Sequence, residues 1–339
     1  MMHAVMNQET HVSPLSSDAA AVRVKILGKA TRDAYGEVLV MLGGIDPRIV
    51  ALDADLSKST KSHLFAKSFP DRFFNCGIAE ANMISIAAGL ASSGKIPFVS
   101  SFASFLLCKG FDQLRMSVAN PRLNVKCIGS HGGISLGEDG ASQQSIEDFA
   151  LASALPGFAV LSPSDALSCK ALVQLVANHS GPVYMRTGRP KAPQIYTASE
   201  TFAWGRAQKI VSGRDVTVIA NGLLVWEALV ASDQCAARGI SVAVIDMHTL
   251  KPIDTEIIRT AAEETGAVVT AEEHLRIGGL GSRVAHVLSE QSPVPFVAVG
   301  LADRYAESGS TEALMEKYGL TAAHIVRAIE SVLRRKTRS

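Results

Sequence analysis

Cysteine is scarce and scattered: five residues at positions 76, 108, 127, 169 and 235, with no C-x-x-C pair among them. That excludes a disulfide framework and gives no zinc-ribbon spacing, so a reducing cytosol is the expected setting. An excess of charge of one sign is lacking too. Lysine plus arginine number 33 against 32 aspartates and glutamates, for a formal net charge of +1. Nothing in that balance argues for nucleic acid or an anionic membrane surface as partner. Long apolar runs are missing as well: no stretch approaches the roughly 18 residues that cross a bilayer. Residues 1–20 mix His, Asn, Gln, Glu and Ser without an apolar centre and do not read as a signal peptide. The expectation is a cytoplasmic protein with no nucleic-acid and no membrane partner.

What is present is enough apolar material for a large core. Of the 339 residues 47% are hydrophobic and 19% charged, a length and balance that suit two domains. Short apolar runs alternate with helical patterns, the mark of parallel sheets covered on both faces. In the first half the runs at 49–52, 98–100, 125–128 and 159–161 read as strands, with helices at 28–43, 79–92, 107–118, 144–154 and 164–178. In the second half strands are expected at 216–220, 241–246, 267–270 and 296–299, with helices at 223–238, 254–264 and 279–290. The fold class is therefore α/β, with two doubly wound, mostly parallel-sheet domains. Thr187-Gly188-Arg189-Pro190-Lys191-Ala192-Pro193 is rich in helix and strand breakers and marks the junction. The resulting division is a tail at 1–22, a first domain at 23–190, a linker at 191–204, a second domain at 205–333 and a basic tail at 334–339, expected to be solvated and frayed.

The segment that carries chemistry is Asn75-Cys76-Gly77-Ile78-Ala79-Glu80-Ala81-Asn82-Met83, where a lone carboxylate enters an otherwise apolar helix. The simplest role for Glu80 is to complement the positive end of that helix. A carboxylate among apolar neighbours, however, either has its pKa raised or finds a proton-bearing partner, as a group must that holds or passes a proton near neutrality. The run Ile84–Leu90 that follows reads as buried at nearly every position.

Several further motifs follow in order: Ser101-Phe102-Ala103-Ser104-Phe105 ending in Phe111-Asp112-Gln113-Leu114-Arg115; His131-Gly132-Gly133-Ile134-Ser135-Leu136-Gly137-Glu138-Asp139-Gly140; Ser142-Gln143-Gln144; Leu161-Ser162-Pro163-Ser164-Asp165; and Gly181-Pro182-Val183-Tyr184-Met185-Arg186. Together with Gly77-Ile78-Ala79-Glu80 this series resembles the pyrimidine-binding domain of transketolases. Asp246-Met247-His248-Thr249-Leu250-Lys251-Pro252 in the second half resembles their C-terminal domain. The resemblance spans roughly residues 23 to 330.

The resemblance implies thiamine diphosphate as cofactor, with Mg2+ or another divalent cation. Glu80 would be the catalytic carboxylate that activates the aminopyrimidine. Phe102, Phe105, Leu56 and Ile134 would contact the cofactor, with Cys108 standing where the family often has a tyrosine. Ser59, His131, Asp139, Gln143 and Arg186 would face substrate, Ser59 and Arg186 toward a sugar phosphate. Gln143 departs from the family, which usually carries histidine there; glutamine can donate a hydrogen bond but cannot carry a proton near pH 7. An altered substrate, such as a branched or sulfonated sugar, would fit that change.

The family's diphosphate-binding half, with Gly-Asp-Gly and a following Asn, has no counterpart, since no Gly-Asp-Gly occurs. The metal and diphosphate would then be held mainly by an N-terminal diphosphate-binding transketolase subunit, in a heterotetramer of two of each. No metal ligand is expected in this chain. The implied activity is transfer of a two-carbon ketol unit between sugar phosphates. The alternatives are the beta subunit of a 2-oxo acid dehydrogenase's first component and a non-catalytic assembly subunit. Gly278-Gly279-Leu280-Gly281-Ser282 suggests a dinucleotide turn but lacks the third glycine of that fingerprint.

Overall fold

The structure is a computed structural model and describes residues 23–337. The strands are β1 Leu27–Ala30, β2 Ile49–Asp53, β3 Phe73–Asn75, β4 Ile96–Phe102, β5 Lys126–Ser130, β6 Ala159–Leu161, β7 Val183–Thr187, β8 Lys191–Pro193, β9 Gln208–Val211, β10 Val216–Ala220, β11 Val242–Asp246, β12 Thr249–Lys251, β13 Val268–Leu275 and β14 Phe296–Leu301. The helices are α1 Thr31–Ile45, α2 Ser57–Thr60, α3 His63–Ser68, α4 Glu80–Ser92, α5 Gly110–Gln113, α6 Asp148–Ala154, α7 Ala166–Asn178, α8 Leu224–Ala236, α9 Thr255–Thr265, α10 Leu280–Gln291, α11 Thr311–Lys317 and α12 Ala322–Lys336.

Strands β2, β4, β5 and β7 are buried at every position, as expected of parallel strands with helices on both faces. They form the centre of a seven-stranded sheet in the order β12-β6-β7-β5-β4-β2-β3, parallel except for β12. The second sheet runs β14-β13-β10-β11-β9, parallel except for β9 on its edge. Thus β12, though it follows β11 in sequence, crosses to the first domain's sheet. One hydrophobic core joins β2, β4 and α4 to residues Ile245, Met247, Ile258 and Leu280 of the second half. The two domains are fastened together through their interiors.

Several expectations need adjustment. Strand β7 and helix α12 were not anticipated, and β9 adds an antiparallel edge to the four strands expected in the second sheet. Lys191–Pro193, within the stretch taken for a linker, pair with β1 as a two-stranded ribbon. Arg334–Lys336, expected to be frayed, form the last turn of α12, where cations complement the helix dipole. Lys336 Nζ donates to the carbonyls of Asp215 at 3.0 Å and Thr265 at 2.7 Å. The segment 144–147 is loop rather than helix. Helix α4 is one-sided: Met83, Ile84, Ala87 and Ala88 are buried, while Ser85, Ile86 and Gly89 face outward. The expected tail at 1–22 and residues 338–339 lie outside the described residues.

Candidate active site

Strands β2 and β4 are neighbours, yet the chain leaves β2 toward β3 on one side and β4 toward β5 on the other. In an open parallel sheet, such a reversal opens a crevice at the carboxyl ends of the strands. The candidate site residues collect there. Asp53 ends β2, and Leu56 and Ser59 follow it. Glu80 opens the helix after β3, and Ser101 and Phe102 end β4. His131 follows β5, and Gly188 and Arg189 follow β7.

Buried Asp53 knots the loop after β2, accepting from Thr60 Oγ1 at 2.7 Å, Ser62 Oγ at 2.8 Å and the Leu56 amide. Burial raises its pKa against these hydrogen bonds. Gly77, at φ +69°, permits the turn that swings the chain from β3 into α4. Glu80 at the head of α4 is 2% exposed. It has a hydrogen-bond donor beside it: Ser101 Oγ donates to its Oε1 at 3.1 Å. Lys109 Nζ stands 3.7 Å from Oε2.

The helix after β4 is wound into π turns at Phe105–Lys109 and Leu114–Ala119, a distortion common at functional sites. It lays Phe105 against Phe102, centroids 5.5 Å apart and planes 21° apart. His131 stacks on Phe102 at 4.0 Å, and Ser104 Oγ donates to the Gln143 carbonyl at 3.1 Å. The column His131–Phe102–Phe105 is linked to Glu80 through Lys109, whose ammonium lies 4.0 Å over the Phe105 ring, and the Gln143 backbone stands beside it at Ser104. Ser142 Oγ donates to Gln143 Oε1 at 2.9 Å. Cys108 is exposed on the same helix, its thiol pushed up to about 11 by burial and by Glu147.

The other end of the column is cationic. Arg32 Nη1 lies 2.9 Å from His131 Nε2 and donates to the Ser59 carbonyl at 3.1 Å. Since a guanidinium only donates, His131 Nε2 accepts, and its Nδ1–H points to Ser130 Oγ at 2.8 Å. Burial, then the charges of Arg32, Arg189 and Lys61, pull His131 down to about 3. It is neutral through the physiological range. Arg189 Nη1 donates to the Leu136 carbonyl at 2.6 Å and lies 3.8 Å from exposed Asp139. Arg32 and Arg189 line one open cavity of about 300 Å³ with Ser135, Glu138 and Thr311. Converging cations around a neutral imidazole make a place for an anionic group.

Two expected residues stand elsewhere. Arg186, expected at a phosphate, is buried in an ion pair with Asp148: its Nε donates to Oδ2 at 2.7 Å and its Nη2 to Oδ1. Its Nη1 donates to the Glu273 carbonyl at 2.8 Å, and the guanidinium lies 3.7 Å over the Phe149 ring. It ties the first domain to β13. Ile134, expected at the cofactor, is fully buried in the second domain's core with Val218 and Leu224. Arg32 and Arg189, which the sequence reading did not single out, join the candidate site. Their signal was two arginines three apart, Arg186 in β7 and Arg189 in the loop after it, and a third, Arg32, in the first turn of α1; spacing alone does not tell which of them faces the site. Among the described residues no group of three or more His, Cys, Asp or Glu side chains is arranged to hold a metal. Nor is any helix there long and apolar enough to cross a membrane.

Comparison with known proteins agrees with this architecture. Residues 28–194 match the transketolase pyrimidine binding domain and residues 205–325 the transketolase C-terminal domain. The chain is 44% identical over 313 residues to the 6-deoxy-6-sulfo-D-fructose transketolase subunit of Clostridium sp. (strain MSTE9), covering 92% of this chain and 97% of that one. It is 42% identical over 318 residues to a transketolase C-terminal section from Methanocaldococcus jannaschii, covering 92% of this chain and all of the other. Among solved structures, a split-gene transketolase described as an inactive beta4 tetramer superposes with a TM-score of 0.83 at 50% identity, over 91% of this chain and 99% of that one. None of these comparisons favours a 2-oxo acid dehydrogenase subunit. The chain belongs to the transketolase family, as a C-terminal subunit of a split transketolase-type transferase.

Proposed function

We propose that this subunit, joined to an N-terminal diphosphate-binding subunit, transfers a two-carbon ketol unit from a ketose to an aldose, each bearing a distal anionic group. The observation that carries the reading is that one ammonium, Lys109 Nζ, stands both 3.7 Å from Oε2 of buried Glu80 and 4.0 Å over the Phe105 ring, which brings a carboxylate and an aromatic face together at the switch point of the sheet. A carboxylate beside a flat aromatic face fits an aminopyrimidine, whose ring stacks while a ring nitrogen bonds to the acid. The residues present therefore suit thiamine diphosphate, which when bound supplies the carbanion chemistry that side chains lack.

The chain's own residues do the rest. Glu80 holds the proton shared with the pyrimidine, and Ser101 keeps its carboxyl oriented. Phe102, Phe105 and half-exposed Leu56 give the cofactor an apolar wall. Asp139 and Gln143 bond to substrate hydroxyls, Gln143 without moving a proton. Neutral His131, its Nε2 accepting from Arg32, orients that guanidinium, and Arg32, Arg189 and Ser59 take the distal anion. A planar guanidinium suits phosphate and sulfonate alike. The relative named as a 6-deoxy-6-sulfo-D-fructose transketolase subunit supports a sulfonate or phosphate at that end.

Mg2+, or another divalent cation, and the diphosphate belong in this reading to the N-terminal partner, with two copies of each subunit in the assembly. The solved relative described as an inactive beta4 tetramer supports that dependence. Exposed Phe74, Ile78 and Ile86 around α4 give an apolar face for the contact. Five unpaired cysteines suit a reducing cytoplasm. Glu80→Gln keeps the shape of the side chain but removes its acid. In the reconstituted pair it should lower ketol transfer about 100-fold or more with both subunits still assembled. Turnover within a factor of two of wild type would support the non-catalytic alternative instead.

A further inference from the structure

The aromatic column ends in a cation supplied by the chain itself. Phe102 lies between His131, at 4.0 Å, and Phe105, at 5.5 Å. Over the Phe105 ring sits the Lys109 ammonium, 4.0 Å from its centroid. The same ammonium stands 3.7 Å from Glu80 Oε2. Four residues apart, Phe105 and Lys109 fall on one side of the helix, here wound as a π turn. Lys109 is 49% exposed in its side chain, so contact with the ring and the carboxylate, rather than enclosure, holds it in place.

A flat heteroaromatic base that stacks on Phe105 and bonds to Glu80 would need the same two contacts. We infer that Lys109 is an internal competitor for the aminopyrimidine: its ammonium covers Phe105 and neutralises Glu80, and it must swing aside before the cofactor's base can dock. The inference rests on the aminopyrimidine reading of the site and adds a residue that regulates entry to it. Its consequence is selectivity. A ligand that only stacks, or only bonds to Glu80, replaces half of what Lys109 provides and is disfavoured; one that does both displaces it. Substitution of Lys109 should therefore tighten binding, where loss of an ordinary lining residue would weaken it.

The test is titration of the full-length chain with 4-amino-5-hydroxymethyl-2-methylpyrimidine, the base without its diphosphate, followed by saturation-transfer NMR or calorimetry. Wild type, Lys109→Ala, Lys109→Arg and Glu80→Gln are compared at equal melting temperature. Lys109→Ala should bind about ten-fold tighter than wild type, the size of one exposed cation–π contact plus one half-exposed ion pair. Lys109→Arg should be no tighter than wild type, and Glu80→Gln should bind far more weakly. If Glu80→Gln abolishes binding but Lys109→Ala binds as wild type or more weakly, Lys109 is a wall and not a competitor; the aminopyrimidine reading survives and this inference falls. If binding does not depend on Glu80 in any variant, the site reading itself falls and takes the inference with it.

Discussion

Arg186→Met is the substitution that separates a structural arginine from an anion-binding one. In the native protein the Arg186 and Asp148 side chains are 7% and 0% exposed. Asp148 Oδ2 also accepts from Tyr184 Oη at 2.6 Å, and Arg186 reaches the Glu273 carbonyl across the domain boundary. Removing the cation leaves the Asp148 carboxylate buried without a counter-charge, which costs about 3–5 kcal/mol when one partner of a buried pair is lost. At about 2 °C per kcal/mol for a chain of this size, the melting temperature should fall by about 6–10 °C at pH 7. The pH dependence has a definite sign. Burial pushes Asp148 up, but the charge and hydrogen bonds of Arg186 outweigh it, so the net pKa lies below the ordinary carboxylate value. A depressed folded pKa contributes stability above the unfolded value and loses it as pH falls through the folded one. In the variant burial acts unopposed and raises the Asp148 pKa, so the gap between wild type and variant should be widest at pH 7 and narrow steadily as pH falls into the carboxylate range. Thermal melts by circular dichroism at pH 7, 5 and 3.5 provide the comparison, alongside KM for an anionic ketose at a temperature where both are folded. An unchanged melting temperature with a raised KM would refute the structural assignment and restore Arg186 to the phosphate.

Two further outcomes follow from the cationic end of the site. Arg32→Ala and Arg189→Ala each remove a charge-assisted hydrogen bond to a distal phosphate or sulfonate, so KM for such a ketose should rise about ten-fold or more. Turnover of L-erythrulose, which carries no anion, should change little, and an equal loss on both would place these arginines elsewhere in the mechanism. Because burial and neighbouring cations hold His131 down to about 3, the unfolded chain takes up its proton first as pH drops. That lost stability begins below about pH 6.5 and reaches about 2 kcal/mol at pH 5. His131→Gln should abolish that part of the acid slope in denaturant titrations, whereas a slope identical to wild type would show that His131 is not the buried neutral group.

The parts of the protein legible in the sequence are those written in local pattern. The fully buried strands at 49–53, 96–102 and 216–220 are each built on a short apolar run, Ile49–Leu52, Ile96–Val99 and Val218–Ala220, and Glu80 stands out as the lone carboxylate in an otherwise apolar helix. Strand β7 was harder to see because Tyr184 and Arg186 are polar residues whose burial depends on a partner 36 and 38 positions away, Asp148. The same distance effect bears on Arg186: its guanidinium suits a phosphate, and only the fold reveals that the Asp148 carboxylate is paired with it. Arg32 and Arg189 were missed for the opposite reason, since nothing local to either says that they converge on His131. Ile134 fell to the wrong core because the loop after β5 dips into the second domain, a path set by tertiary packing rather than by its own residues. The outer face of α4 was overestimated because apolar content was counted without its angular distribution: Ser85, Ile86 and Gly89 lie on the side turned away from the sheet.

The central claim is tested most directly by assaying ketol transfer with thiamine diphosphate and Mg2+ for this chain alone, for the N-terminal transketolase subunit alone, and for the two mixed. The account predicts turnover of a ketose phosphate or sulfonate by the mixture and none by either chain singly. Full activity of this chain alone, or an inert mixture that nevertheless binds the cofactor at Glu80, would contradict it.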